Sequence, residues 1–147
     1  MIFKEEQGDL FAAEILSGYV LCHCISADFA LGAGIAKIFA KMGVKKKLME
    51  LYPKQWQGRG YCLFTEIEGV VVANLVTKER YFHKPTLETL KQSLVDLREQ
   101  ALSRDLKKLA MPKIGCGLDR LFWEDVSAVI KEVFGDTDIE ILVRYIQ

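Results

Sequence analysis

Two hydrophobic spacings take turns along this chain. "YVLCHCI" (19–25) is almost continuously apolar, the pattern of a strand covered on both faces. "AGIAKIFAKM" (33–42) instead sets Ile35, Ile38, Phe39 and Met42 at helical spacing, which predicts one apolar helix face. A second short helical piece, "VKKKLMELY", follows and is stopped by Pro53. "RGYCLFTEI" and "GVVVANLVT" predict two strands joined by a tight turn near Glu68–Gly69. From Pro85 the helical period returns: Leu87, Leu90, Leu94, Leu97 and Ala101 form one stripe of a long helix with Thr86 as its N-cap. "LKKLAMPKI" reads as another buried strand, with its strand core at 107–112. Phe122, Val126, Val129, Ile130 and Val133 mark a last amphipathic helix, and "IEILVRYI" predicts a closing strand. A first strand, "MIFKEEQ", ends at Gly8.

Strands alternating with helices, plus one hairpin, predict a mixed α/β sheet with helices on both faces. No repeat, low-complexity tract or linker divides the 147 residues, which are enough for one domain, 1–147, with its own core.

Charge narrows the ligand question. Lys plus Arg equals Asp plus Glu at 20 each, so no global field draws the chain to nucleic acid or an acidic membrane. An anionic ligand must be held locally, by backbone amides or a few placed cations. The acidic start lacks the basic and apolar regions of a signal peptide, and no apolar run approaches the roughly 18 residues that span a bilayer. A cytoplasmic, non-membrane protein with free thiols at Cys22, Cys24, Cys62 and Cys116 is expected. "CHC" at 22–24 invites zinc, but in a strand His23 points away from both cysteines and no second ligand pair occurs, so no metal is expected.

Candidate chemistry lies where strands end. Gly32 and Gly34 separate strand 19–25 from the helix after it, and Gly115 and Gly117 separate strand 107–112 from the last helix. Glycine lets backbone approach a ligand, and helix N-termini present unpaired N–H groups, so two such loops side by side could cradle a diphosphate. Each loop could equally be only a turn. Their spacing matches neither GxGxxG nor a Walker A loop. Lys78 ends strand "VVVANLVT" on the same rim, as a solvated strand end or as an amine nucleophile. Asp119 closes the second loop as a helix N-cap, an acid/base group, or both. Asp9 could accept a hydrogen bond from the amino group of a base or form an Asx turn. His83 is expected to order the turn into the long helix. Lysines 37, 41, 45, 46 and 47 form a solvated helical face that could also meet a nucleic-acid backbone.

"QGDLF" (7–11), "HCISADFALGAGIA" (23–36), "LVTKER" and "HKPT" (75–86) and "MPKIGCGLDRLFWEDVSAVIKEVF" (111–134) occur in this order, and together they resemble macrodomains of the terminal ADP-ribose protein glycohydrolase type. The resemblance implies a three-layer α/β/α macrodomain with a mixed, mostly parallel central sheet, and a site for ADP-ribose. By motif position it implies that Asp9 recognises adenine with Leu10 and Ile146 beside it. Ser26 would lie near the distal ribose, and Gly32, Ala33, Gly34 and Ile35 with Lys113, Ile114, Gly115, Cys116, Gly117 and Leu118 would wrap diphosphate and ribose. Lys78 would be the nucleophile and Asp119 the acid/base. The implied substrates are ADP-ribose ester-linked to acidic side chains of proteins, and O-acyl-ADP-ribose, cleaved by a monomer without cofactor or metal. ADP-ribosylated DNA bases are an alternative substrate, and a non-catalytic ADP-ribose reader is an alternative function. "ADFAL" before the first loop and "YF" at 81–82 depart from the better-known members and bear on the acceptor side of the pocket.

Overall fold

The computed structural model describes residues 1–53 and 58–146. In chain order the elements are β1 (Ile2–Gln7), α1 (Ala13–Gly18), β2 (Val20–Ser26), α2 (Ile35–Met42), α3 (Val44–Leu51), β3 (Tyr61–Ile67), β4 (Val70–Lys78), α4 (Leu87–Ser103), β5 (Lys108–Met111), α5 (Trp123–Phe134) and β6 (Glu140–Tyr145). The sheet runs β1-β6-β5-β2-β4-β3, with every neighbouring pair parallel except the β3–β4 hairpin. Positive φ at both Glu68 and Gly69 closes that hairpin as a two-residue turn whose twist suits paired strands. The predicted α/β class and its mixed, mostly parallel sheet are therefore what the chain forms.

Alternation along each strand sorts the core into two layers. Cys22, Ala73, Leu75, Leu109, Met111, Ile141 and Val143 face α4 and α5, whose Leu90, Leu94, Leu97, Ala101, Val126 and Ile130 complete that cluster. Leu21, Ile25, Val72, Val76, Ala110 and Leu142 face the other way, onto Ile15, Phe39, Val44 and Leu48 of α1, α2 and α3. Near-continuous apolar strands follow from this arrangement, because both faces are covered. Cys22 and Cys24 pack on the first side and His23 on the second, so the "CHC" side chains do not converge.

Thr86 caps α4 as expected: its hydroxyl accepts from the Thr89 N–H at 3.1 Å while the Thr89 hydroxyl accepts from the Thr86 N–H at 3.0 Å. Pro112, which has no N–H to give a ladder, follows β5 directly and leaves it at four residues. Three expectations need correction. Phe122, expected on the apolar face of the last helix, is instead its N-cap and is 76% exposed. Ile38, expected on the buried face of α2, is 45% exposed because Phe39 takes the core position. Asp119 caps nothing, since the N-cap of α5 is Phe122.

His23 makes stability pH-dependent. Asn74 donates through Nδ2 to the Leu63 carbonyl and the Thr65 hydroxyl at 3.0 and 3.2 Å, so its Oδ1 is the acceptor facing His23 Nε2 at 2.6 Å. The imidazole is therefore the neutral Nε2–H tautomer, stacked 3.8 Å from the Phe39 ring, with Nδ1 buried and unpartnered among the described residues. Burial lowers its pKa from 6.5 to about 4, against the smaller raising effect of Asn74. The unfolded chain thus binds the extra proton first: stability is full above pH 6.5 and is lost as pH falls toward 4. Unfolding free energy should drop by about 2 kcal/mol between pH 7 and pH 5. Urea titrations at both pH values should show this drop in the parent and a much smaller one in His23→Gln. An equal drop in both would place the acid sensitivity elsewhere.

Candidate active site

All five parallel strands deliver their carboxyl ends to one rim, where α/β sheets bind ligands. Gly8 to Phe11 leave β1, the 26–35 loop leaves β2, Lys78 ends β4, Pro112 to Asp119 leave β5, and Ile146 follows β6. Between them lies a cleft of two chambers. One, of about 480 Å³, is walled by Asp9, Leu10, Phe11, Ile38, Cys116, Arg144, Tyr145 and Ile146. The other, of about 690 Å³, is walled by Cys24, Ser26, Gly32, Ala33, Gly34, Lys78, Tyr81, Lys84, Ile114, Gly115, Leu118 and Asp119. Ile35, Pro112, Lys113 and Gly117 line both and form the waist. Every residue of the implied ADP-ribose site lines this one cleft, whereas His83 and lysines 37, 41, 45, 46 and 47 do not.

Lys78 Nζ donates to Asp119 Oδ1 at 2.8 Å, and the two side chains are only 15% and 14% exposed. They come from opposite sides: β4 carries the lysine, the β5–α5 loop the acid. A β-bulge aims the lysine, because pairing jumps from Ile25↔Val76 to Ser26↔Lys78 and leaves Thr77 as the extra residue. Cys24 lies beside this pair. Burial, reinforced by the Asp119 charge, pushes its thiol up to about 12, so it stays protonated and is no rival nucleophile.

The loops hold conformations that ordinary residues avoid. Gly34 sits at φ 59, ψ −142 directly before α2, which has no side-chain cap, so first-turn amides of that helix face the waist. Gly115 has φ +74, and a Cβ there would meet Leu121 Cδ1 at 3.0 Å. Gly117 has no positive φ, and an added Cβ would meet nothing within 4 Å. Phe29, Leu31 and Arg120 also hold positive φ without being glycine.

Residues outside the predicted set brace the cleft. Lys84 Nζ donates to the Leu118 carbonyl at 2.7 Å and fixes the loop next to Asp119. Arg144 donates to the Asp9 carbonyl at 3.0 Å, while Asp9 Oδ1 accepts from the Phe11 N–H at 2.9 Å, an Asx turn. Lys113, itself one of the predicted set, lies at the waist 4.2 Å over the Tyr145 ring. Asp28 ties two loops together, accepting from the Ser26 hydroxyl, the Ala30 N–H at 3.2 Å and the Tyr81 N–H at 3.0 Å. Burial works against its charge, but those hydrogen bonds outweigh it and hold the carboxyl below its usual value. Lys84 had a signal in the "HKPT" motif and Asp28 in the "ADFAL" stretch; Arg144 had none. His83 sits in the turn before α4: its N–H donates to the Arg80 carbonyl at 3.0 Å and its Nδ1 accepts from the Arg80 N–H at 3.4 Å.

A two-chambered, glycine-walled cleft on the carboxyl rim of a three-layer α/β/α sheet defines the macrodomain class. The macrodomain of Thermus aquaticus DarG shares this fold with a TM-score of 0.85 over 97% of both chains at 19% identity. Thermosipho africanus DarTG, solved in complex with ADP-ribose, matches with a TM-score of 0.82 over 98% of this chain and 41% of its own, at 17% identity. No family model matches the sequence. In sequence the chain is 45% identical over 139 residues to the ADP-ribose glycohydrolases OARD1 of Bos taurus and Homo sapiens, covering 93% of this chain and 87% of each relative. The chain belongs to this ADP-ribose glycohydrolase family of macrodomains.

Proposed function

We propose that the protein binds ADP-ribose along the cleft and hydrolyses ADP-ribose ester-linked to acidic side chains, with O-acyl-ADP-ribose as a second substrate. The observation that carries this reading is the mostly buried Lys78–Asp119 pair at 2.8 Å within a glycine-walled chamber. In this reading adenine takes the smaller chamber beside Asp9, Leu10, Cys116 and Ile146. The diphosphate crosses the waist against the amides of the Gly34–Ile35 and Gly115–Gly117 segments, near Lys113, and the distal ribose enters the larger chamber by Ser26, Gly32, Ala33, Ile114 and Leu118.

Asp119 is placed to take the proton from the Lys78 ammonium. The freed amine attacks C1″ of the distal ribose, a C1″–N bond forms, and the C1″–O bond to the acyl group breaks. The acceptor leaves as a carboxylate, which holds the electron pair without help. Asp119 then moves the proton of the water that cleaves the lysyl adduct, which restores the amine and releases ADP-ribose.

Calorimetry should show ADP-ribose binding in the low-micromolar range, on the order of −8 kcal/mol. Incubation with a glutamate-linked ADP-ribosyl peptide should release free ADP-ribose. Binding without release from ester-, serine- or base-linked substrates would make the protein a reader, and no binding at millimolar ligand would end the ADP-ribose reading.

A further inference from the structure

The mouth of the larger chamber carries groups that the chemistry above leaves unused. Tyr81 lines the chamber three residues beyond Lys78 and is 65% exposed; Phe82 beside it is 67% exposed. Their rings meet edge to face at 5.4 Å, and Phe82 meets His83 in the same way at 4.7 Å. Two exposed aromatic rings are an unusual expense of apolar surface unless something covers them. The step is also held in place, because the Tyr81 N–H donates to Asp28, which the 26–30 loop secures. Leu118, 63% exposed, stands on the second loop and lines the same chamber.

The charges left without an ion pair in the segments around this mouth are positive. Arg80 and Lys84 flank the aromatic step in sequence and Arg120 follows Asp119; all three are exposed, and none has an ion-pair partner among the described residues. The nearby acids are already engaged. Glu79 pairs with Arg59 at 2.8 Å, Asp119 pairs with Lys78, and Asp28 accepts three hydrogen bonds. When Lys78 reaches C1″, the departing acceptor must lie on the open side of the chamber, which is this mouth.

Resting on the proposed hydrolysis, we infer that Tyr81 is a specificity-determining residue. The Tyr81–Phe82 step seats a side chain of the acceptor polypeptide, while Arg80, Lys84 and Arg120 favour acceptors with acidic neighbours around the modified residue. Tyr81 makes the contact, and Phe82 is a positioning residue that supports its ring. A small acyl group reaches neither.

The test compares three substrates: a glutamate-linked ADP-ribosyl peptide with acidic flanks, the same peptide with neutral flanks, and O-acetyl-ADP-ribose. The parent should prefer the acidic peptide. Tyr81→Ala should lower the ratio of acidic-peptide to O-acetyl kcat/KM roughly tenfold, the loss of one good interface contact. Phe82→Ala should lower peptide turnover in the same direction, and Arg80→Glu should erase the flank preference. Both lie outside the chamber and should leave O-acetyl turnover within about twofold, which also shows that the variants fold. Retained O-acetyl turnover with peptide ratios unchanged in Tyr81→Ala would overturn this inference alone. So would a base-linked oligonucleotide losing turnover in Tyr81→Ala while the peptides do not, since the step would then seat a base. If the parent cleaves none of these substrates, the hydrolase reading falls and the inference falls with it.

Discussion

Replacing Lys78 by arginine is expected to lower ester turnover by about 10³-fold or more, roughly 4 kcal/mol in the barrier, with ADP-ribose affinity changed only several-fold. Arginine keeps the positive charge and an ion pair with Asp119, which lies 2.8 Å from Lys78 Nζ, but it does not become the neutral amine that attacks carbon in the proposed mechanism. Asp119→Ala should also stop turnover, because in the proposed mechanism it removes the group that takes the lysine proton and carries it in the second step. Where attack outlasts resolution in Asp119→Ala, a lysyl–ADP-ribose adduct should accumulate. Intact mass spectrometry should find that added mass in Asp119→Ala and not when Lys78 is also arginine. Lys78→Arg cleaving as fast as the parent would make the lysine a strand end with no chemical role.

Gly34→Val should weaken ADP-ribose binding by well over tenfold, more than about 1.4 kcal/mol. At φ 59 and ψ −142 a residue with a Cβ is strained by about 1–3 kcal/mol, and a β-branched one more, so the loop would shift and carry the first amides of α2 away from the waist. Gly117→Val is the complementary probe. Its backbone has no positive φ and an added Cβ meets nothing within 4 Å, so its melting temperature should match the parent's. A loss of affinity of about tenfold in Gly117→Val then reports ligand approach at the waist and not loop strain. Unchanged affinity in Gly117→Val would make that loop a turn only; unchanged affinity in Gly34→Val would remove the α2 amides from the site.

Strands β2, β4 and β6 were legible because a strand buried on both faces must be apolar almost throughout, and α4 because its leucine stripe and Thr86 cap agree. Short elements were less so. Six residues of α1 complete fewer than two turns, and on α2 Ile38 and Phe39 are both strongly apolar while only Phe39 reaches the core.

For the site, local chemistry supplied the candidates: glycines where strands end, a lysine at one strand terminus, an acid closing a loop. Sequence by itself thus determined the fold class, the family likeness and the short set of reactive groups, because covalent type and spacing carry that information. Pairing was decided only in three dimensions. Lys78 and Asp119 are 41 positions apart and meet because strand order sets β5 and β4 on either side of β2. Strain was decided there too: Gly115 and not Gly117 takes the positive φ, and the Leu121 side chain packs where a Cβ at 115 would project. The Asp28 brace, the Arg144 clamp on Asp9 and the aromatic step at the mouth likewise exist only because separate loops share one rim, a proximity that no local pattern encodes.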